Sequence, residues 1–211
     1  MIISFSGVDG SGKSTCAQWT REFLEALGFK VIVSHFFRFS LYFQVGRILR
    51  FFSARRADRL VENQYSKEKR KTLANKLLLM VRVVCFVFDS IVFRVIFLNF
   101  YKKDEIYYVL DRFFMDQVVQ LSYLDAISNR LFIFLLGHSA LSDIPFLLKI
   151  DPREAMRRKP EFPSEYFERK SYLYSFLAAD DKVITIENQD REKTQRKIRE
   201  TIIGFLENGK N

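Results

Sequence analysis

Short apolar runs alternate along most of the chain with segments whose apolar residues recur at helical spacing. The apolar runs predict strands, and the periodic segments between them predict helices. Strands are predicted at residues 1–6, 30–35, 105–110, 145–150 and 182–187. Strands that alternate with helices favour a parallel sheet covered on both faces. We therefore expect an α/β three-layer sandwich with a five-stranded parallel sheet, in a single domain over residues 1–211.

The segments between and after these strands predict a helical layer on each face. Helices are predicted at residues 14–27, 36–50, 75–101, 114–129, 152–159, 162–179 and 191–206. Residues 54–71 are highly charged and predict a solvated helix or loop edge, and residues 131–136 form a short apolar piece.

One predicted helix is unusually apolar. Residues 77–100 are long enough to span a bilayer. Arg82, Asp89 and Arg94 lie inside this run, and each is costly at membrane depth. We therefore expect a buried helix that also forms a homodimer seam, without stable membrane insertion. A helix that lies on a membrane surface is the alternative.

The first predicted turn carries a phosphate-binding motif. Its residues are Gly7, Val8, Asp9, Gly10, Ser11, Gly12, Lys13, Ser14 and Thr15. A Gly-rich turn between a strand and a helix points backbone N–H groups into one concavity, where the helix dipole adds positive potential. We expect ATP to bind there, with Lys13 at the β- and γ-phosphates and the Ser14 hydroxyl on Mg²⁺.

The composition indicates which classes of partner the protein binds. The 211 residues carry a net charge of +9, and 48% of them are apolar, including 23 Phe. No zinc-ligand spacing and no nucleic-acid motif is present, so we expect small nucleotide substrates and no nucleic acid. Two Cys exclude a disulfide framework. The apolar run at residues 1–6 predicts a core strand rather than a signal peptide, which favours the cytoplasm.

A second candidate cluster follows the third predicted strand. Asp111 and Arg112 come directly after its apolar run. A carboxylate at the carboxyl end of a parallel strand faces the ligand crevice, so Asp111 is a candidate for Mg²⁺ and Arg112 for a phosphate. Asp9, in the phosphate loop, is a second acid close to the same position.

With these residues the chain resembles the thymidylate kinases, which are P-loop NTPases. The phosphate loop with Asp9, the Asp-Arg-Phe element at residues 111–113, and residues 146–158 and 165–187 carry the resemblance. The segment between about residues 38 and 105 matches weakly. The resemblance implies a homodimeric ATP:nucleoside-monophosphate phosphotransferase, with dTMP as the best candidate acceptor.

The resemblance also implies roles for single residues. Asp9 orients the acceptor phosphate and the metal, and Arg112 binds that phosphate with Asp111 near Mg²⁺. Phe86 stacks on the base or fills the core. Arg38 is an acceptor-phosphate candidate, with Arg47 as its competitor. The arginines at the start of a short lid, about residues 152–165, are candidates for an arginine finger: Arg153, Arg157 and Arg158.

Departures from the family keep other functions open. The family has an Arg four residues after the stacking aromatic, where this chain has Ser90. The family's Arg-Glu-Pro-Gly element after the second strand is absent. A kinase for another acceptor, or an NTP-binding protein without kinase activity, are therefore the alternatives.

Overall fold

The computed structural model describes residues 1–35, 41, 73–100, 106–139 and 142–208, without the side chains of residues 73–79, 96–100 and 208. The charged segment at residues 54–71 and most of the predicted helix at residues 36–50 lie outside the described residues. Arg38 and Arg47 lie outside them as well.

Strands and helices alternate along the described chain, as the sequence pattern predicts. In chain order the elements are β1 (Ile2–Gly7), α1 (Lys13–Ala26), β2 (Lys30–Ser34), α2 (Leu73–Phe100), β3 (Ile106–Asp111), α3 (Phe114–Tyr123), α4 (Asn129–His138), β4 (Ile144–Lys149), α5 (Pro152–Arg158), α6 (Ser164–Ala178), β5 (Ile184–Glu187) and α7 (Arg191–Asn208).

The five strands form one parallel sheet in the order β2-β3-β1-β4-β5. The predicted five-stranded parallel sheet is confirmed. From β1 the chain runs towards the β2 edge, whereas from β3 it runs towards the β4 edge. The carboxyl ends of the neighbouring strands β1 and β3 therefore border the crevice at which α/β sheets bind ligands.

Two apolar cores cover the two faces of the sheet, which gives three layers. Ile3 and Phe5 of β1 pack with α1 and α7 on one face, where Phe5 stacks on Phe146 at 5.2 Å between ring centroids. Ile2 points to the opposite face, where it packs with α2, α3 and α6. The period of two along β1 thus separates the cores.

Phenylalanine fills much of the second core. Phe113 and Phe114 are fully buried, with ring centroids 5.0 Å apart, and Phe93 of α2 lies 5.3 Å from each of them. These edge-to-face contacts join α2 to the start of α3. Part of the high Phe content therefore serves bulky packing next to Arg112.

The prediction of one helix over residues 114–129 is wrong. The helix α3 ends at Tyr123, and Asp125 turns the chain with φ +53°. Ser128 then accepts a hydrogen bond from Leu131 N at 3.3 Å and caps α4, which contains the apolar piece at residues 131–136. Ser at an N-cap was the signal for this break.

The helix α2 has one buried and one exposed side rather than being buried all round. Cys85, Phe86 and Asp89 are buried, and Asp89 Oδ1 accepts a hydrogen bond from Leu41 N at 3.0 Å. Arg94 donates to the carbonyl oxygen of His138 at 2.7 Å. Across the described segments, no helix has the length and hydropathy that a membrane crossing requires.

Candidate functional site

The loop between β1 and α1 has a backbone that only glycine accommodates easily. Gly10 and Gly12 have φ of +85° and +91°. A Cβ at Gly7 would lie 2.4 Å from the carbonyl oxygen of Leu148, and a Cβ at Gly12 would lie 2.5 Å from Asn188 Nδ2. The motif therefore forms a tight turn pressed against β4 and the segment after β5.

Gly12 precedes α1 and caps it only with its backbone. Within the described chain, no side chain caps the first turn of α1. The first N–H groups of a helix have no acceptor inside the helix, and together with the helix dipole they favour an anion. The loop thus has the geometry that phosphate groups bind.

Lys13 folds back across this loop. Its Nζ donates to the carbonyl oxygens of Gly7 at 2.9 Å and Val8 at 2.8 Å. Burial, followed by repulsion from Arg112, lowers the Lys13 pKa to about 8, against the attraction of Asp9. A buried ammonium held by two carbonyl oxygens can exchange them for phosphate oxygens.

Asp9 and Arg112 form an ion pair that joins the first loop to the β3–α3 turn. Tyr166 of α6 donates its hydroxyl hydrogen to the same carboxylate. Burial raises the Asp9 pKa, but Arg112, Lys13 and the Tyr166 hydrogen bond together outweigh it, so the pKa lies below its usual range. Asp9 is therefore an anion that orients a guanidinium at the crevice.

Arg112 has a left-handed backbone, with φ +74°. This conformation is costly for a residue with a Cβ and persists only where surrounding contacts hold it. Arg112 N donates to the carbonyl oxygen of Phe5 at 3.0 Å, which ties the turn to β1. Backbone strain next to a charged side chain in a crevice is typical of functional sites.

Ser14 and Asp111, the predicted magnesium residues, lie in contact. Ser14 Oγ donates to Asp111 Oδ2 at 2.5 Å, and His35 Nδ1 lies 3.4 Å from the same oxygen. Asp111 Oδ1 is buried and has no hydrogen-bond partner in the described part of the chain. A hydroxyl and a carboxylate with a spare oxygen fit Mg²⁺, which takes few protein ligands and keeps waters and phosphates as the others.

A cleft of about 220 Å³ opens beside α1. Its wall includes Gly12, Thr15, Trp19, Arg158 and Asn188. Asn188 donates to the carbonyl oxygen of Ser11 at 2.6 Å and accepts from Thr194 Oγ1 at 2.9 Å, so the β5–α7 segment braces the phosphate loop. The sequence analysis missed Asn188.

The candidate lid arginines differ in position. Arg157 is highly exposed and pairs with Glu154 at 2.8 Å. Arg158 also bonds Glu154, and its NH1 donates to the carbonyl oxygen of Gly10 at 3.2 Å. Arg153 lies exposed in the first turn of α5. Within the described part of the chain, Arg158 is the only one of these three arginines with a hydrogen bond to the phosphate loop.

The predicted base-stacking residue lies in the core. Phe86 is 2% exposed and packs edge-to-face on Phe114 at 6.0 Å between ring centroids. Ser90 donates its hydroxyl hydrogen to the carbonyl oxygen of Phe86 at 2.9 Å. Its hydroxyl is therefore engaged with its own helix, and base stacking by Phe86 stays a prediction.

Three buried polar residues of the crevice were missed by the sequence analysis. Asp116, Lys170 and Tyr174 are 2%, 3% and 3% exposed. Lys170 Nζ donates to Gln120 Oε1 at 2.5 Å, and burial lowers the Lys170 pKa to about 8. Burial, followed by Asp116, raises the pKa of the Tyr174 phenol well above its ordinary value. No periodicity distinguishes such residues from ordinary helix positions.

No model of a known protein family matches the chain, and a search of curated proteins gives no match. A cluster of three or more His, Cys, Asp or Glu that could hold a metal is also absent from the described residues.

Proposed function

We propose that the chain is an ATP-dependent nucleoside-monophosphate kinase with dTMP as its acceptor. One observation carries this proposal. Lys13, Asp9 and Arg112 converge at the crevice between β1 and β3, next to the contact of Ser14 with Asp111. A phosphate loop supplies the donor side, and an arginine on the neighbouring strand end supplies the acceptor side of phosphoryl transfer.

The donor side would bind ATP through charge and backbone donors. The N–H groups at the start of α1 and the Lys13 ammonium would hold the β- and γ-phosphates. Ser14 and Asp111 would hold Mg²⁺, which when bound neutralises charge on the transferring phosphoryl group. The cleft beside Trp19 and Asn188 would take the nucleoside part of ATP, because it adjoins the phosphate loop.

The acceptor side would place a phosphate against Arg112. A guanidinium can bind a phosphate through two parallel hydrogen bonds. The nucleophile would be an oxygen of that phosphate, which is already ionised at neutral pH, so the reaction requires no strong general base. Asp9 and Tyr166 would hold the Arg112 guanidinium in place. Arg158 would stabilise charge on the transferring group from the lid side.

A second candidate acceptor class has specific support. The Ser90 hydroxyl is engaged with the carbonyl oxygen of Phe86, and Phe86 is almost fully buried. A site that rejects wrong bases needs polar groups that reach the base edge. A phosphate-bearing acceptor without a thymine base is therefore the alternative. For either acceptor we propose a cytoplasmic protein.

The test is ADP release from Mg-ATP with a panel of acceptors, namely dTMP, dUMP, other nucleoside monophosphates, thymidine and sugar phosphates. We expect turnover with dTMP. Lys13→Ala should abolish it, and the surface variant Lys193→Ala should retain it. Arg112→Ala should still bind Mg-ATP but lose the transfer. Turnover that survives in Lys13→Ala would come from a contaminating kinase, and ATP binding with no acceptor turned over would contradict the proposal.

A further inference from the structure

The carboxylate of Asp116 connects the two loops of the crevice. Its Oδ2 accepts hydrogen bonds from Ser6 Oγ at 2.7 Å and from Phe113 N at 2.9 Å. Its Oδ1 accepts from Tyr174 OH at 2.6 Å and, more weakly, from Gly7 N at 3.4 Å. The side chain is buried, so water cannot replace these donors.

The four donors come from three parts of the fold. Ser6 and Gly7 end β1 and begin the phosphate loop. Phe113 follows Arg112 directly, so its N–H fixes the end of the strained turn at Arg112. Tyr174 belongs to α6, which also carries Tyr166, the partner of Asp9. One carboxylate therefore holds the donor loop, the acceptor arginine and α6 in a common arrangement.

The charge of Asp116 supports the same role. Its carboxylate attracts the buried Lys13 and Lys170 and the partly buried Arg112. It also lies in the first turn of α3, where a negative charge is favourable to the helix dipole. Asp116 lies behind the residues that would touch phosphates, so it would act through them.

We propose that Asp116 is a positioning residue that couples the geometry of the phosphate loop to that of Arg112. This inference rests on the proposed function for its kinetic consequences, but its structural part concerns only the two loops. Loss of the carboxylate should loosen both loops together, because both are bonded to the same two oxygens.

Replacement by asparagine tests the carboxylate with little change of shape. In Asp116→Asn one oxygen becomes an NH₂ group, which can only donate. Whichever way the amide is placed, its NH₂ group faces a backbone N–H, that of Gly7 or that of Phe113. The Ser6 and Tyr174 hydroxyls can rotate and adapt, but a backbone N–H cannot. One of these two backbone anchors must therefore be lost, and because Asp116 links the two loops, the other loop should loosen with it.

Two serines of β1 provide a test variant and a matched control variant. Ser6 and Ser4 are both fully buried. Ser6 bonds Asp116, whereas Ser4 Oγ lies 2.6 Å from Ser142 Oγ, towards the other end of the strand. Ser6→Ala and Ser4→Ala each remove one buried hydroxyl and one hydrogen bond, so they should lower thermal stability similarly. Only Ser6→Ala should affect the crevice.

The first measurement is amide hydrogen exchange on the full chain without ligands. We expect Gly7 and Phe113 to exchange faster in Asp116→Asn and Ser6→Ala than in Ser4→Ala, by on the order of tenfold for Asp116→Asn. Equal rates in the three variants, or faster exchange spread over the whole sheet, would overturn the proposal. Hydrogen exchange requires no turnover, so this measurement tests the role of Asp116 independently of the proposed kinase activity.

The second measurement is the Kd of Mg-ATP and the KM of the acceptor in the same variants. We expect Asp116→Asn to raise both constants and to lower kcat/KM by on the order of tenfold to a hundredfold, because misplaced groups lose reactivity steeply. Ser4→Ala should leave both unchanged. A rise of one constant alone would overturn the coupling, and a wild type that turns over no acceptor would reject the proposed function instead.

Discussion

At the scale of single residues, the crevice combines buried and partly buried charges of both signs. Among the described residues, three cations face three carboxylates: Lys13, Arg112 and Lys170 against Asp9, Asp111 and Asp116. A buried charge is costly unless it is paired, and removal of one partner leaves the other uncompensated. Each of these side chains should therefore influence stability as well as binding.

The lowered pKa values of Lys13 and Lys170 predict how stability depends on pH. In the unfolded chain a lysine keeps its proton to near pH 10.5, whereas both folded lysines release theirs near pH 8. Between these values the unfolded chain binds more protons, so the free energy of unfolding should gain up to about 1.4 kcal/mol per pH unit from each lysine as pH rises.

The variant Lys170→Met removes one of these two contributions. We would measure the free energy of unfolding in urea between pH 8 and 10. Its increase per pH unit should be smaller in Lys170→Met than in the wild type, by the contribution of about one proton. Lys193→Met, at an exposed lysine, should keep the wild-type slope. Equal slopes in Lys170→Met and the wild type would show that Lys170 is protonated in the folded state over this range.

The sequence predicted that Lys13, Ser14, Asp9, Asp111 and Arg112 lie close together, and the structure brings them together. The glycines and the strand ends fix where such residues must lie. The other crevice residues could not be identified in this way. Asp116, Lys170 and Tyr174 occupy ordinary helix positions, and only the packing of α3 against α6 brings them behind the loops.

At the scale of elements, the turn between β1 and α1 depends on how closely other backbone approaches it. Gly7 has φ +144°, and a Cβ there would meet the carbonyl oxygen of Leu148 of β4 at 2.4 Å. Gly28, at the end of α1, has φ +88° but nothing within 4 Å of its Cβ position. A side chain at Gly28 would therefore meet only backbone strain, whereas one at Gly7 would also overlap a neighbouring strand.

Alanine at these two glycines should have different costs. Gly28→Ala should lower the free energy of unfolding by about 1–2 kcal/mol, the cost of a left-handed residue. Gly7→Ala should lower it by about 3 kcal/mol or more, because β1 and β4 must separate. Urea unfolding gives both values, and similar losses in the two variants would contradict the close contact with Leu148.

Hydrophobic periodicity predicted most of the elements because long amphipathic helices and apolar strands leave a strong pattern. The break after α3 escaped it, since apolar residues continue through residues 124–133 while the backbone turns at Asp125. The left-handed turn and the Ser128 cap are local signals that the apolar pattern conceals.

At the scale of the whole molecule, α2 presents an apolar face to solvent. Its residues recur at helical spacing and are between 42% and 68% exposed: Met80, Val84, Val87, Phe88, Ile91 and Val95. A contiguous exposed apolar face commonly marks a protein interface. We therefore propose that two copies of the chain form a homodimer through this face of α2.

Charged substitutions on this face should separate the proposed dimer. We expect sedimentation at micromolar concentration to show a dimer for the wild type and a monomer for Val84→Asp with Ile91→Asp. The control pair, Ile203→Asp with Phe205→Asp, changes exposed apolar residues of α7 and should remain a dimer. A monomeric wild type, or a control that dissociates equally, would rule out the α2 interface.

We propose above that the crevice between β1 and β3 transfers a phosphoryl group from ATP to a phosphate acceptor. Phosphorus NMR follows that group directly in a mixture of the protein, Mg-ATP and dTMP. We predict that the γ-phosphate signal of ATP is replaced by the β-phosphate signal of dTDP, and that Lys13→Ala and Arg112→Ala prevent this. A γ-phosphate that appears only as inorganic phosphate, or remains on ATP, would contradict the account.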